Sequence, residues 1–269
     1  MTFEEIIKYI LLGIIQGIAE ILPISSSGHL VIFESLFGLD GENPALEVFL
    51  HVASLIAVIV FLRKQLKRII VGTYKYVFKK DEDYKYAFYY FIYLLISTAV
   101  TGGIGLIFDQ YMDSLMKPLI VGFLLLVNGA ILLVTSKVET KKDITELKWQ
   151  DAVIIGLAQG IGVLPGISRS GITISGGVMQ RYRKDDMAEY AFILFIPVTV
   201  GALILSIDDL VLVNPTEWIG YLLGFAFSLV FTFISLNLFL KVIRKKKLDV
   251  FAYYCFIVGL IVIAKELLF

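Results

Sequence analysis

The sequence predicts an all-α polytopic membrane protein: six transmembrane helices plus two re-entrant helical hairpins, arranged as an inverted-topology repeat. Three observations predict it. Hydrophobic residues make up 58% of the 269-residue chain and mean hydropathy is +0.84, far above the apolar share of a soluble domain. A motif is written twice: laying Gly13–Gly28 on Gly156–Gly171, a shift of 143, matches eight of sixteen residues, among them Gln16/Gln159, Ser25/Ser168 and Ser27/Ser170. Finally, 20 of the 24 Lys and Arg residues fall within 63–85, 137–148, 181–184 and 241–247, while the other connections carry Asp40, Glu42, Asp109, Asp113, Asp208 and Asp209.

In chain order the first hairpin is expected over about 3–38, followed by spans at Val48–Leu62, Tyr86–Phe108 and Pro118–Ser136. The second hairpin is expected over about 150–180, followed by spans at Tyr190–Ile207, Trp218–Leu240 and Val250–Ala264. Most runs approach the ~20 residues that cross a hydrocarbon core. The two shorter ones are bordered by Glu47 and Lys265, which can snorkel. Repeat one (1–143) and repeat two (144–269) form a single membrane domain. Glu4 and Glu5 stand where a cleavable signal peptide carries a basic region, so none is expected. The single Cys255 excludes an intrachain disulfide and has packing as its default role. The aromatic stretch Tyr84–Tyr93 reads as an interface belt and span.

Charge decides the threading. The positive-inside rule puts all four basic segments in the cytoplasm. If Ile6–Phe37 and Ala152–Met179 each crossed fully, the first two basic segments would lie opposite the last two. Each motif must therefore enter and leave on one side. The apolar arm Tyr9–Ala19 is ~16 Å of helix, about half of a ~30 Å core. The first hairpin then enters from outside and the second from inside. An odd number of spans after each inverts the second copy, and the tips meet near the midplane around a polar chamber.

The tips carry the chemistry. Gln16 and Glu20, four apart, share a helix face. Pro23 ends that arm, and Ser25, Ser26, Ser27 and Gly28 lead into His29 and a second helix. In the second hairpin Gln159 takes the Gln16 position, Pro165 and Gly166 make the break, and Ser168, Arg169, Ser170 and Thr173 follow. Each tip thus offers a hydroxyl-rich helix N-terminus, where free N–H groups and the helix dipole attract anions. Arg169 is the one Lys or Arg deep in an apolar region. It costs ~2.5–3.5 kcal/mol there and asks for a partner or a ligand. Its planar fork suits phosphate oxygens. Glu20 is the matching carboxylate and His29 can exchange protons near neutral pH.

Plainer readings stand beside these. Arg169 and Glu20 could form a structural ion pair locking the hairpins. The serines could be helix caps and packing contacts. His51, on an apolar face beside Leu50 and Val52, reads as a hydrogen-bonded span residue, and Glu34 as a solvated one.

Taken together, these residues resemble the undecaprenyl-diphosphate phosphatase family of bacitracin-resistance membrane proteins, over essentially the whole chain. One family motif is matched by Gln16, Glu20, Pro23, Ser25, Ser26, Gly28 and His29, the other by Pro165, Gly166, Ser168, Arg169, Ser170, Gly171 and Thr173. The resemblance implies hydrolysis of a polyprenyl diphosphate to the monophosphate, recycling the lipid carrier of cell-wall and glycan assembly. It points to Glu20, Ser26, His29 and Arg169 as the central group, with Gln16, Ser25, Ser27, Gln159, Ser168, Ser170 and Thr173 around the substrate. It also implies a divalent cation, magnesium or calcium, with Glu20 as the candidate ligand. Gln16 stands where many members carry a second Glu, which removes one negative charge from such a site. The implied location is the plasma membrane, with the site opening to the outer face. Expected partners are the polyprenyl diphosphate and membrane lipids, with a homodimer admissible and no nucleic acid. The rival from another class is a transporter or flippase for the carrier lipid, since broken helices and a midplane anion site serve transport equally well.

Overall fold

The computed structural model describes residues 2–37, 44–206, 217–244 and 247–268. Asp40, Glu42, Ile207, Asp208, Asp209, Lys245 and Lys246, used above, and the last residue of the first hairpin range lie outside these. Among the described residues the structure is helical, apart from an isolated bridge between Lys142 and Tyr182.

Helix α1 (Phe3–Ala19) starts at a capping box. The Glu5 N–H donates to Thr2 Oγ1 at 3.2 Å and the Thr2 N–H to Glu5 Oε2 at 2.7 Å. It ends at Ala19, ahead of Pro23, and α2 (Ser26–Phe37) follows the break. Helix α3 (Pro44–Phe61) meets α4 (Arg63–Lys79) at a 71° bend around Leu62. Next come α5 (Lys85–Asp109), the short α6 (Met112–Leu115) and α7 (Pro118–Ser136), which carries proline in its first turn, where no N–H partner is lost. The second half runs α8 (Trp149–Ile161), α9 (Arg169–Met179), α10 (Lys184–Leu205), α11 (Trp218–Arg244) and α12 (Asp249–Leu268). Among the described residues five helices, α5, α7, α10, α11 and α12, are long and apolar enough to cross a membrane, and the bent α3–α4 pair, counted as one span, brings the number to six.

Helix α4 is an addition to the sequence reading, which treats 63–85 only as a basic connection. Arg63, Lys64, Lys67 and Arg68 precede an exposed apolar row of Ile70, Tyr74 and Phe78. A basic, amphipathic helix of this kind suits a membrane surface, where lipid covers the apolar row.

The packing pairs each half with the other. Helix α1 lies on α11 and α8 on α5; α3 also meets α11, and α10 meets α5; α7 packs on α12 and α3 on α10. Small residues permit the closest crossings. A Cβ on Gly17 would come 2.5 Å from the Ser228 carbonyl oxygen of α11, and one on Gly156 would come 2.8 Å from that of Ser97 on α5.

Candidate functional site

The two helix breaks meet in the protein interior. At the first, Ser25 adopts φ 72°, a left-handed conformation that costs a non-glycine residue energy. Its surroundings hold it there: Ser25 Oγ accepts from the Gly28 N–H at 3.2 Å and from the Gly166 N–H of the other break at 3.0 Å. At the second break the left-handed residue is Gly166, φ 104°, where a Cβ would also lie 2.8 Å from the Val121 carbonyl oxygen. Ser168 caps α9 as Ser25 caps α2, accepting from the Gly171 N–H at 3.1 Å.

Asn128, buried in the middle of α7, fastens the breaks together. Its Nδ2 donates to the Pro23 carbonyl at 3.0 Å and its Oδ1 accepts from the Ser168 N–H at 3.1 Å. The buried Cys255 thiol lies 3.3 Å from the same Nδ2, in keeping with a packing role. Asn128→Leu leaves both backbone groups without this partner, at about 1–3 kcal/mol each. It is expected to lower the thermal unfolding midpoint of detergent-purified protein by several degrees. An unchanged midpoint would show that the breaks are held by other contacts.

Where the breaks meet, a cavity of about 190 Å³ is lined by Glu20, Ser26 and Ser27 from the first break, Ser168 and Arg169 from the second, and Glu47 and His51 from α3. Glu20 is the centre of a cluster. Its Oε2 accepts from Ser26 Oγ at 2.6 Å and from Gln16 Nε2 at 2.8 Å, and lies 3.5 Å from His51 Nε2. Arg169 Nη1 stands 3.9 Å from Glu20 Oε1, too far for a hydrogen bond. The same Nη1 donates to Thr199 at 3.2 Å, and the guanidinium lies over the Phe195 ring, 5.6 Å from its centre. With 27% of its side chain exposed, Arg169 is not locked against Glu20 and keeps donors facing the cavity. A carboxylate with a hydroxyl beside it and a held guanidinium opposite can deprotonate an oxygen nucleophile while stabilising a phosphoryl group.

The structure therefore gathers Glu20, Ser26, Arg169, Ser27 and Ser168 at one cavity. Gln16 sits behind Glu20. Ser25 and Ser170 tie the breaks: Ser170 Oγ donates to the Ile21 carbonyl at 3.3 Å and lies 3.2 Å from Ser168 Oγ. Gln159 and Thr173, joined by a 3.0 Å hydrogen bond, border a smaller pocket that Glu20 and Arg169 also line.

His29 borders a groove separate from this cavity. Its Nδ1 is 2.7 Å from the Ser25 carbonyl oxygen, which can only accept, so that nitrogen carries the hydrogen. Nε2 then accepts from the Tyr254 hydroxyl at 2.8 Å. Both nitrogens are used away from Ser26, and the ring borders a different, largely apolar groove between α2 and α12. The histidine at the cavity is His51. The expected hydrogen bond inside its span is present, Nδ1 to the Glu47 carbonyl at 2.9 Å, and Nε2 turns to Glu20. His51 and Glu47 lie outside both motifs. The available signal was that His51 is the second of two histidines in the chain and sits in an apolar helix.

Glu20 is already surrounded by donors and positive groups. Both oxygens are engaged by hydrogen-bond donors or face positive groups, and among the described residues no three His, Cys, Asp or Glu side chains converge as metal ligands.

Comparison with known proteins places this geometry. The family model described as Bacitracin resistance protein BacA matches residues 9–261. The chain belongs to the BacA family. Relatives include an undecaprenyl-diphosphatase of Oceanobacillus iheyensis, 36% identical over 267 residues and covering 97% of each chain. Undecaprenyl-diphosphatase 2 of Bacillus thuringiensis is 38% identical over 263 residues, 96% of this chain and 97% of the relative. The undecaprenyl-diphosphatase of Halothermothrix orenii has the same identity and coverage. Both helix breaks and the cavity between them lie within the family match.

Proposed function

We propose that this chain hydrolyses undecaprenyl diphosphate to undecaprenyl phosphate and inorganic phosphate. Membership of the family and the names of relatives aligned over nearly the whole chain support the reaction. The observation that carries the chemistry is the 2.6 Å contact between Ser26 Oγ and Glu20 at a cavity that also holds Arg169. Glu20 takes the Ser26 proton as Oγ attacks the terminal phosphorus, and the bridging P–O bond breaks to release undecaprenyl phosphate. Arg169, Ser168 and the N-terminal N–H groups of α9 hold the phosphate oxygens as charge develops. Water then attacks the phosphoserine, freeing phosphate and returning the proton to Ser26. Purified protein mixed with undecaprenyl diphosphate is expected to release phosphate catalytically. Movement of intact lipid diphosphate across vesicles, with no phosphate released, would favour transport instead.

The divalent cation, magnesium or calcium, belongs on the diphosphate in this reading, since magnesium keeps much of its water and prefers phosphate oxygens. Titration calorimetry of substrate-free protein is accordingly expected to show no stoichiometric magnesium binding. A tight single site would contradict this.

In the bilayer, six spans with the α1–α2 and α8–α9 pairs as re-entrant hairpins fit the basic connections and the broken helices. Exchanging α1 for α8, α3 for α10, α5 for α11 and α7 for α12 turns each of the pairwise contacts above into another of the set, which favours an inverted repeat. The cavity rim includes Glu47 and Met112, near the ends of α3 and α5 remote from the basic segments, which favours an outward opening in the plasma membrane. Since Cys255 is buried, a single introduced thiol reports sidedness. Tyr111→Cys is expected to react with an impermeant maleimide on intact cells, and Lys67→Cys only after permeabilisation; the reverse would overturn the topology.

A further inference from the structure

We propose that Gln159 holds the water that attacks the phosphoserine. This rests on the hydrolysis reading above and on its phosphoserine step. It gives Gln159, expected from the sequence to lie around the substrate, a water as its ligand.

Three observations meet at one place. The first is an amide with a free end. Gln159 is buried on α8, the Thr173 hydroxyl lies 3.0 Å from its Oε1, and its Nε2 has no hydrogen-bond partner among the described residues. A buried donor left so is costly, which asks for an oxygen ligand. Exchanging the two ends of the amide leaves one polar end without a partner all the same. The second is the pocket that Gln159 borders. Its volume is about 10 Å³, the scale of a single water and too small for a phosphate group. Glu20, Arg169 and Ser170 also line it, which supplies the two to four polar partners that a buried water takes, and Phe192 and Phe195 of α10 form its apolar wall. The third is the division of labour on Glu20. Ser26, Gln16 and His51 all approach Oε2, whereas Oε1 faces Arg169 Nη1 across 3.9 Å, a separation that a water bridges. One water accepting from Gln159 and Arg169 and donating to Glu20 Oε1 meets all three conditions.

The two attacking oxygens then stand on the two oxygens of one carboxylate. Ser26 is held at Oε2 and the water at Oε1, beside the guanidinium that holds the phosphoryl group. In a loose phosphoryl-transfer transition state the attacking water needs positioning more than deprotonation, and an amide side chain can supply it. The water oxygen bonds to phosphorus as the Oγ–P bond breaks. Glu20 returns its proton to Ser26 Oγ, and both water protons leave with the phosphate. Gln159 gains and loses nothing, so it acts as a positioning residue for the second step alone.

The test separates the two steps in Gln159→Leu and Gln159→Met, which both remove the amide. Thr173 keeps its 2.6 Å hydrogen bond to the Arg169 carbonyl, so the wild-type unfolding midpoint is expected to persist. Each protein is mixed with undecaprenyl diphosphate labelled in its terminal phosphate and quenched over time. The variants are expected to release the first undecaprenyl phosphate at close to the wild-type rate. Their steady-state phosphate release is expected to fall ~10²-fold, the scale of a misplaced reactant, with label accumulating on the Ser26 peptide. Equal slowing of both steps, or wild-type phosphate release from either folded variant, overturns the proposal. Absence of phosphate release from wild type would instead defeat the hydrolysis reading, and release without label on Ser26 in any of the three proteins would defeat the phosphoserine step; each takes the proposal with it and leaves its own pattern.

Discussion

Ser26→Ala is expected to lower phosphate release by ~10⁴-fold or more, the scale on which removal of an attacking group acts. The reason lies in one contact. Ser26 Oγ is the hydroxyl that Glu20 holds, at 2.6 Å, and it begins α2 where the free N–H groups of that helix can receive a phosphate. The substitution removes a hydroxyl at a cavity wall and breaks no tie between the two helix breaks, which run through Ser25, Ser170 and Asn128. Fold and detergent stability are therefore expected to persist, as a melting curve and size-exclusion profile would check. Substantial phosphate release from the folded variant would show that water attacks directly. Glu20→Gln separates the base from the nucleophile, since it keeps the shape and removes the group that takes the proton.

Arg169→Ala is expected to cost ~10³–10⁵-fold in turnover, the range for an arginine that stabilises phosphoryl transfer. Its contact with Glu20 is long, 3.9 Å, and its stronger ties are the Thr199 bond and the Phe195 ring. These hold the guanidinium against the cavity wall and leave donors for the ligand. The contacts that tie the two helix breaks run through Ser25, Ser170 and Asn128, so the variant is expected to stay folded. Arg169→Lys keeps the charge and loses the planar fork, and should recover only part of the rate. A folded Arg169→Ala protein with near-normal turnover would restore the plainer reading, an ion pair that locks the hairpins.

Much of this was written in local sequence. Gln16 and Glu20, four apart, are expected on one helix face, and a 2.8 Å hydrogen bond joins them because Glu20 continues the helical backbone as the C-cap of α1. Pro23 and Pro165–Gly166 mark the breaks, since proline and glycine act on the backbone at their own positions. The serine doublets predict the matching caps at Ser25 and Ser168. What was not legible depends on approaches between distant segments. Tyr254, 225 residues from His29, decides where that imidazole points. His51 joins Glu20 only because α3 packs beside the first break, a placement that no spacing encodes. Asn128 offered a readable clue, a lone amide in the middle of an apolar span, but its two partners come from opposite halves. The amphipathic α4 was hidden because its lysines and arginines dominate the reading of 63–85 as a connection.

The central claim is that the reaction passes through Ser26 at the junction of the two breaks. Purified protein is mixed with undecaprenyl diphosphate carrying label in its terminal phosphate, quenched in acid within one turnover, and digested for peptide mapping. Label on the peptide containing Ser26, lost in Ser26→Ala together with phosphate release, is the predicted result. Rapid phosphate release with no label on that peptide, and undiminished turnover in Ser26→Ala, would contradict it.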